Sequence, residues 1–485
     1  MKPTFLLNNL PTRQRIQDFL ERRRIQRNLA IWMSVFLGVL VGTEIYFPEI
    51  SVMVGLVLFM LVYAVFLTGI LVVKRYTAKR QGIDLNEYQP EEALPPASVS
   101  VIIPAHNEES IIASSVAHFM AHCPEDYDIW VMNDRSSDAT QAILEALWHQ
   151  HPQWQTRLHV VHRHADAVPG KSAVLNEAVG LCQGAVLAVF DADARIEADF
   201  FPKMLSHLGQ DDRIAAVQAR KVIRNQQDNL LTQCQQWEYT LDAHLQRCRD
   251  LAGSAVELRG NGFLVKRSAL EEVGFWNENS ITDDLDLSTR LHLAGWLIRF
   301  VDVANVYEEG ITQFQALLKQ RERWAEGSLR RYLDFGGDIL FSKKATLRTR
   351  MDMFAYWVNF LFPILMVLEL CVVGSATVLG QASRLHQLLS VSLLPLFGVA
   401  FIPTLYNAIR RFDRPPRWEA FKAAVMTGLY MTLVWFPIVF FSFSKVLFRP
   451  NAPFQWAKTD HTGSGEEATP PTAEASPTQE AVSLS

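Results

Sequence analysis

Ala185-Val186-Leu187-Ala188-Val189-Phe190-Asp191-Ala192-Asp193 is the stretch whose reading decides the fold. Six apolar residues in a row, too few for a helix of ordinary length, describe a strand buried on both faces. Two carboxylates one residue apart follow at its exposed end, where they can share a divalent cation. An isolated Asp-x-Asp more often marks solvated turn residues. Its place after a buried strand favours the metal reading here.

Working outward, Val99–Ile103 reads as a buried strand, 108–121 as a helix and 127–132 as a second strand. A helix over 137–148, a strand over 158–161 and a helix over 171–181 then lead into 185–190. Such alternation predicts a mostly parallel sheet with helices on its faces, an α/β domain over 98–312. Ligands of such sheets bind beyond the carboxyl ends of the strands. The polar residues there are Asn107 and Glu108, Asn133 and Asp134, then Asp191 and Asp193, all gathered on one edge. Capping and turn formation account for Asn107, Ser137 and Asp138, but do not call for Glu108 and Asp134 together.

Apolar runs flank this domain. Residues 29–75 contain two stretches of spanning length, Leu29–Phe47 and Val52–Val73, joined at Pro48 and Glu49. Arginines in 1–28 and the basic cluster Lys74, Arg75, Lys79 and Arg80 place both outer ends of this hairpin in the cytoplasm. The 1–28 arm reads as a basic segment on anionic lipid or as a solvated tail. Residues 313–350 are amphipathic and basic, as expected of interfacial helices. Apolar segments resume over 353–447. Five spans would put the C-terminus outside while Lys445, Arg449 and Lys458 argue for the inside, so the segment holding Pro437 is a candidate re-entrant element. Residues 461–485 lack Lys and Arg and read as a disordered acidic tail.

The 485 residues are 49% apolar and 20% charged, with a net charge of −5. That balance allows a large core and excludes a nucleic-acid partner held by bulk basicity. Five cysteines form no CxxC pair and no zinc site is expected.

Three further motifs carry chemistry. Lys171, opening a helix after Pro169-Gly170, can reach a phosphate or lie on the surface. Thr282-Asp283-Asp284 reads as a helix start with Thr282 as cap; the dipole keeps an acid there ionised and makes it a weak base. A weak base suffices when proton loss from a hydroxyl accompanies departure of a metal-stabilised diphosphate. Chemistry alone leaves Asp283 and Asp284 both open for that role. Gln320, Arg323, Trp324 and Gly327 share one helix face, where arginine can pair with phosphate and the indole can stack on a sugar or seat an acceptor.

In this order the motifs resemble the membrane-bound, cellulose-synthase-like members of glycosyltransferase family 2 over residues 98–332. The resemblance implies a GT-A catalytic domain embedded in an α-helical transmembrane region. It implies uridine contacts at Glu108 and Asp134 and a donor site including Lys171, Asp191, Gln320 and Arg323. It further implies Mg²⁺, or Mn²⁺, on Asp191 and Asp193, the base at Asp284, and Trp324 with Asp283 at the acceptor. Asp283 departs from the commoner Glu. Ile281 to Leu287, Glu308-Glu309-Gly310-Ile311-Thr312, Gln320 to Gly327, Arg331 to Asp334 and Lys458 to His461 are similar to cyanobacterial members that make β-monoglucosyldiacylglycerol. That likeness implies inverting transfer of glucose from UDP-glucose to diacylglycerol in the bilayer. The rivals are a processive polysaccharide synthase, for whose channel the few spans leave little room, and a non-catalytic nucleotide-sugar-binding scaffold.

Overall fold

The computed structural model describes residues 98–380 and 384–448, with scattered positions between 24 and 80. The hairpin expected over 29–75 and the tail over 461–485 lie outside the described residues, apart from those scattered positions.

Strands β1 (Val99–Ala105), β2 (Asp128–Asn133), β3 (Leu158–His162) and β4 (Val186–Val189) alternate with helices α1 (Ile112–His122), α2 (Thr140–Gln150) and α3 (Lys171–Leu181). β1 lies between β2 and β4 and is parallel to both. The chain therefore runs outward through β1, β2 and β3, then returns to the other side of β1. That reversal opens a crevice at the carboxyl ends of β1 and β4. Both strands are buried on both faces. Val101 and Ile103 enter one core layer with Phe119, Phe190 and Phe201, while Ile102 enters the opposite one with Leu175, Phe263 and Leu291.

Beyond β4 the sheet departs from expectation. β5 (Arg195–Ile196), α4 (Phe200–Leu208), β6 (Ile214–Ile223), α5 (Leu230–Ala252), β7 (Phe263–Lys266), α6 (Arg267–Glu272), α7 (Asp283–Ala294) and β8 (Leu297–Glu308) complete it. The strand order is β3-β2-β1-β4-β7-β6-β8-β5. β7 is antiparallel to β4 and β6, and β5 to β8, so the sheet is mixed rather than mostly parallel. The reason is local. β7 enters from a tight turn at Gly260-Asn261-Gly262, with both glycines at positive φ, instead of from a crossover helix.

Residues 313–350 form one long helix, α8 (Phe314–Phe341), and the start of the next, α9 (Leu347–Val378). α10 (Arg384–Phe412) and α11 (Arg417–Phe448) follow. Among the described helices α11 is long and apolar enough to cross a membrane, and the two arms of α9 qualify only together. Those arms meet at a bend of 50° beside Pro363, where the ring removes a backbone donor. Pro437, by contrast, sits inside a helix that runs on to Phe448.

Buried charge ties the helices to the sheet domain. Arg321 of α8 is fully buried and pairs with Glu238 of α5 at 2.9 Å. Glu238 also accepts hydrogen bonds from Tyr430 and Trp435 of α11, at 2.8 and 2.9 Å. Arg411 meets Asp302 at 3.1 Å, and Asp413 accepts from Arg220 and Thr240 at 3.0 and 3.1 Å.

Gly184 leads into β4 under close constraint. A Cβ there would stand 2.5 Å from both the amide nitrogen and Oγ of Ser100, in the strand flanked by β2 and β4. Gly184→Ala is expected to destabilise the fold by about 1–3 kcal/mol. Thermal unfolding of the purified protein checks this; an unchanged midpoint contradicts the packing.

Candidate active site

A cavity of about 1240 Å³ runs from the ends of β1, β2 and β4 to α9 and α11. Of the residues expected on the strand edge, Glu108, Asp134, Asp191 and Asp193 line it, with His106 beside them. Asn107 and Asn133 do not. The Asn107 side chain accepts from the Ser137 amide at 2.7 Å, and Asn133 accepts from the Ser136 hydroxyl at 2.5 Å. Asp134 is gripped by Arg163 at 2.6 Å and by Arg135 at 2.8 Å. Burial opposes its charge, but the Arg135 hydrogen bond and the Arg163 guanidinium hold its carboxyl below the ordinary range. His106 Nδ1 donates to the Asp134 carbonyl at 2.6 Å.

Lys171, the first residue of α3, is not on the surface. Its ammonium bonds the Asp191 carboxylate and the Gly260 carbonyl, the latter at 2.7 Å. Burial works against this charge, yet Asp191, then Asp283 and Asp284, keep the lysine above its ordinary value. Asp193 accepts from the Glu309 amide at 2.9 Å, which fixes it to the end of β8. Asp191 and Asp193 both reach the cavity. Among the described residues no group of three His, Cys, Asp or Glu could hold a metal ion. The oxygen donors of these two carboxylates suit a hard divalent cation.

Asp283 and Asp284 open α7 against the same cluster. A Cβ on Gly260 would lie 3.2 Å from Asp284 Oδ2, so the turn that holds Lys171 also touches Asp284. Two expectations are corrected here. Thr282 occupies the N-cap position, but its hydroxyl makes no hydrogen bond. Nor is Asp284 a weakened base: burial first, then the neighbouring Asp283, push its carboxyl up to about 6. Both effects outweigh its hydrogen bond from the Leu285 amide at 2.8 Å.

Gln320, Arg323, Trp324 and Gly327 of α8 all line the cavity. Burial lowers the Arg323 pKa, while the charges of Asp283, Asp191 and Asp284 act to raise it. The Arg321 guanidinium lies 4.1 Å over the Trp324 ring. The lining that α9 and α11 contribute is largely apolar, with Phe360, Pro363, Met431, Trp435, Phe436 and Val439.

Sequence reasoning missed the turn at 259–262. Asn261, fully buried, accepts from the Asp191 amide at 3.1 Å and donates to Glu308 at 3.2 Å. Arg259 pairs with Asp242 at 2.6 Å and with Glu257 at 3.0 Å. The signal was present as Gly-Asn-Gly before a short apolar run. Lys221 and Tyr239, which meet Glu308 at 2.8 and 2.6 Å, carried no local motif.

A mixed sheet with acids at its switch point and a helix-borne aspartate facing them is a nucleotide-sugar transferase arrangement. Residues 95–327 match the family described as glycosyltransferase like family 2. The chain is 36% identical to the β-monoglucosyldiacylglycerol synthase of Trichormus variabilis over 382 residues, 76% of this chain and 77% of that protein. Against the Synechocystis enzyme of the same name it is 34% identical over 411 residues, 80% and 82% of the two chains. A solved mannosyltransferase from Pyrobaculum calidifontis is similar over 78% of this chain and 99% of its own, at 18% identity and a TM-score of 0.49. The chain belongs to glycosyltransferase family 2, and its catalytic domain has the GT-A fold.

The raised pKa of Asp284 has a signed consequence for stability. The fold favours its protonated form, so above pH 6 an ionised Asp284 costs stability, and the cost disappears as pH falls from about 6 to 3.8. Asp284→Asn is expected to be more stable than the natural protein at pH 8, by about 1–3 kcal/mol, with the gap closing near pH 4. Unfolding midpoints at the two pH values test the sign.

Proposed function

We propose that this chain transfers glucose from UDP-glucose to the free hydroxyl of 1,2-diacylglycerol, forming β-monoglucosyldiacylglycerol at the cytoplasmic face of a membrane in which it is a multi-pass protein. One observation carries the reading: a single cavity joins the acid cluster to an apolar wall on α9 and α11. A charged sugar nucleotide and a greasy acceptor require such different surroundings side by side. The names of the relatives, matched over most of both chains, support the glycolipid product and the glucosyl donor.

In this mechanism Glu108 and Asp134 take the nucleoside end and Lys171 and Arg323 neutralise the diphosphate. Asp191 and Asp193 would hold Mg²⁺, which supplies charge stabilisation to the departing UDP. Asp284 accepts the proton of the acceptor hydroxyl as that oxygen attacks the anomeric carbon and the bond to UDP breaks. One displacement with no enzyme-bound sugar inverts the anomeric centre. A carboxyl near 6 is largely ionised at neutral pH yet basic enough to take the proton. Trp324 and Asp283 line the same cavity and would seat the acceptor there.

Asp284→Asn is expected to abolish transfer while leaving UDP-glucose affinity within about threefold, a loss confined to the transition state. Isothermal titration beside the transfer assay checks both halves; unchanged turnover removes Asp284 from the mechanism. Asp193→Ala is expected to lose the Mg²⁺-dependent part of UDP-glucose binding, and retained metal dependence contradicts the assignment. Membranes supplied with labelled UDP-glucose and diacylglycerol are expected to yield an organic-soluble β-glucolipid; an insoluble polymer would favour the processive alternative.

A further inference from the structure

Gly327 lies in the interior of α8, where glycine costs about 1 kcal/mol relative to alanine. Backbone freedom does not explain it, since its φ is not among the positive ones. Packing does. A Cβ there would stand 2.4 Å from Thr282 Cγ2, 2.8 Å from its Oγ1 and 3.1 Å from its Cβ. Gly337, ten residues further along the helix, is exposed and would meet nothing within 4 Å. Thr282 is the residue immediately before α7, two positions from Asp284.

One turn after Gly327, Arg331 reaches the same part of α7. Its Nη1 donates to Glu257 at 2.7 Å and lies 3.5 Å from the Leu285 carbonyl and the Thr289 hydroxyl. α8 is itself tied to α11, through Lys445 with Glu326 at 2.8 Å and with Glu322 at 3.2 Å. The Thr282 hydroxyl, buried and without a hydrogen bond, contributes shape alone at this contact.

We propose that Gly327 is a positioning residue, the point at which α8 seats the first turn of α7 and so sets where Asp284 stands against Lys171 and Gly260. The proposal rests on the reading of Asp284 as the base. A methyl group at 327 must displace Thr282 outward, and a displacement of about 1 Å at a reacting group can cost up to about a hundredfold in rate. The donor contacts that follow β1, β2 and β4 are on other elements, and the three atoms nearest the added methyl group all belong to Thr282, none to Arg323.

The test is a compensation cycle in the full-length enzyme, with transfer kinetics and UDP-glucose titration for each variant. Gly327→Ala is expected to lower kcat about tenfold or more with donor Kd unchanged. Thr282→Ala alone is expected to stay near the natural rate, since it breaks no hydrogen bond. The double variant Gly327→Ala/Thr282→Ala, in which only the 3.1 Å approach to Cβ remains, is expected to recover most of the loss. Gly337→Ala, the control on the open side of the helix, is expected to change nothing. An undiminished kcat in Gly327→Ala overturns the proposal, as does a folded double variant that stays as slow as the single one. Should Gly327→Ala not fold, the double variant decides alone: normal kcat supports the contact and a folded slow enzyme refutes it. Persistent transfer in Asp284→Asn would instead discard the base assignment, leaving the compensation pattern to report on the contact itself.

Discussion

One ammonium group holds the candidate site together. Lys171 sits where Asp191, Asp283 and Asp284 would otherwise repel one another, and it is anchored by the Gly260 carbonyl as well as by Asp191. Three carboxylates in a partly buried space are tolerable only with positive charge among them. Arg323 supplies a second cation from α8, and its own burial makes that charge costly without the acids. The cluster is thus mutually dependent. Each side ionises because the other does, and a metal diphosphate entering it would exchange one set of balanced charges for another.

The geometry behind this balance comes from two unrelated parts of the fold. The β1–β4 switch point places Asp191 and the Lys171 helix, while the antiparallel entry of β7 folds Gly260 back over them. Neither suffices without the other. α8 then closes the arrangement from the side of α11, with one face on that helix and the other on the α7 turn that carries Asp284. Arg321 pays for its complete burial with Glu238, and that carboxylate is shared with Tyr430 and Trp435. Removing Glu238 would leave a guanidinium stranded in the interior, a loss far larger than that of a surface pair.

Local pattern revealed much of this in advance, and its limits have physical causes. Helix α3 spans Lys171–Leu181 as read from its flanking Pro-Gly, and β1, β2, β3 and β4 fall within a few residues of their predicted bounds. Those elements are decided by runs of apolar residues and their neighbours. Strand direction beyond β4 is not, because whether β7 runs parallel or antiparallel depends on how a turn at 259–262 meets a sheet built elsewhere. The acid motifs were legible as motifs. What could not be read was the environment of Asp284: its helix position argued for a depressed pKa, whereas burial under α8 and the adjacent Asp283 reverse the sign. A dipole effect of several tenths of a kcal/mol yields to desolvation whenever the site closes.

That reversal bears on why two adjacent acids stand at this turn. A lone exposed aspartate at a helix N-terminus would be a poor proton acceptor, with a pKa below that of free carboxylates. Placing Asp283 beside Asp284, and covering both with α8, raises the second acid toward neutrality. The Leu285 amide still donates to Asp284 Oδ1, so one oxygen is fixed and the other is the one nearest Gly260. The pair therefore divides its work. Asp283 adds repulsion to the burial that raises Asp284 and supplies charge for Arg323, and in the proposed mechanism Asp284 carries the oxygen that burial and repulsion together make more basic.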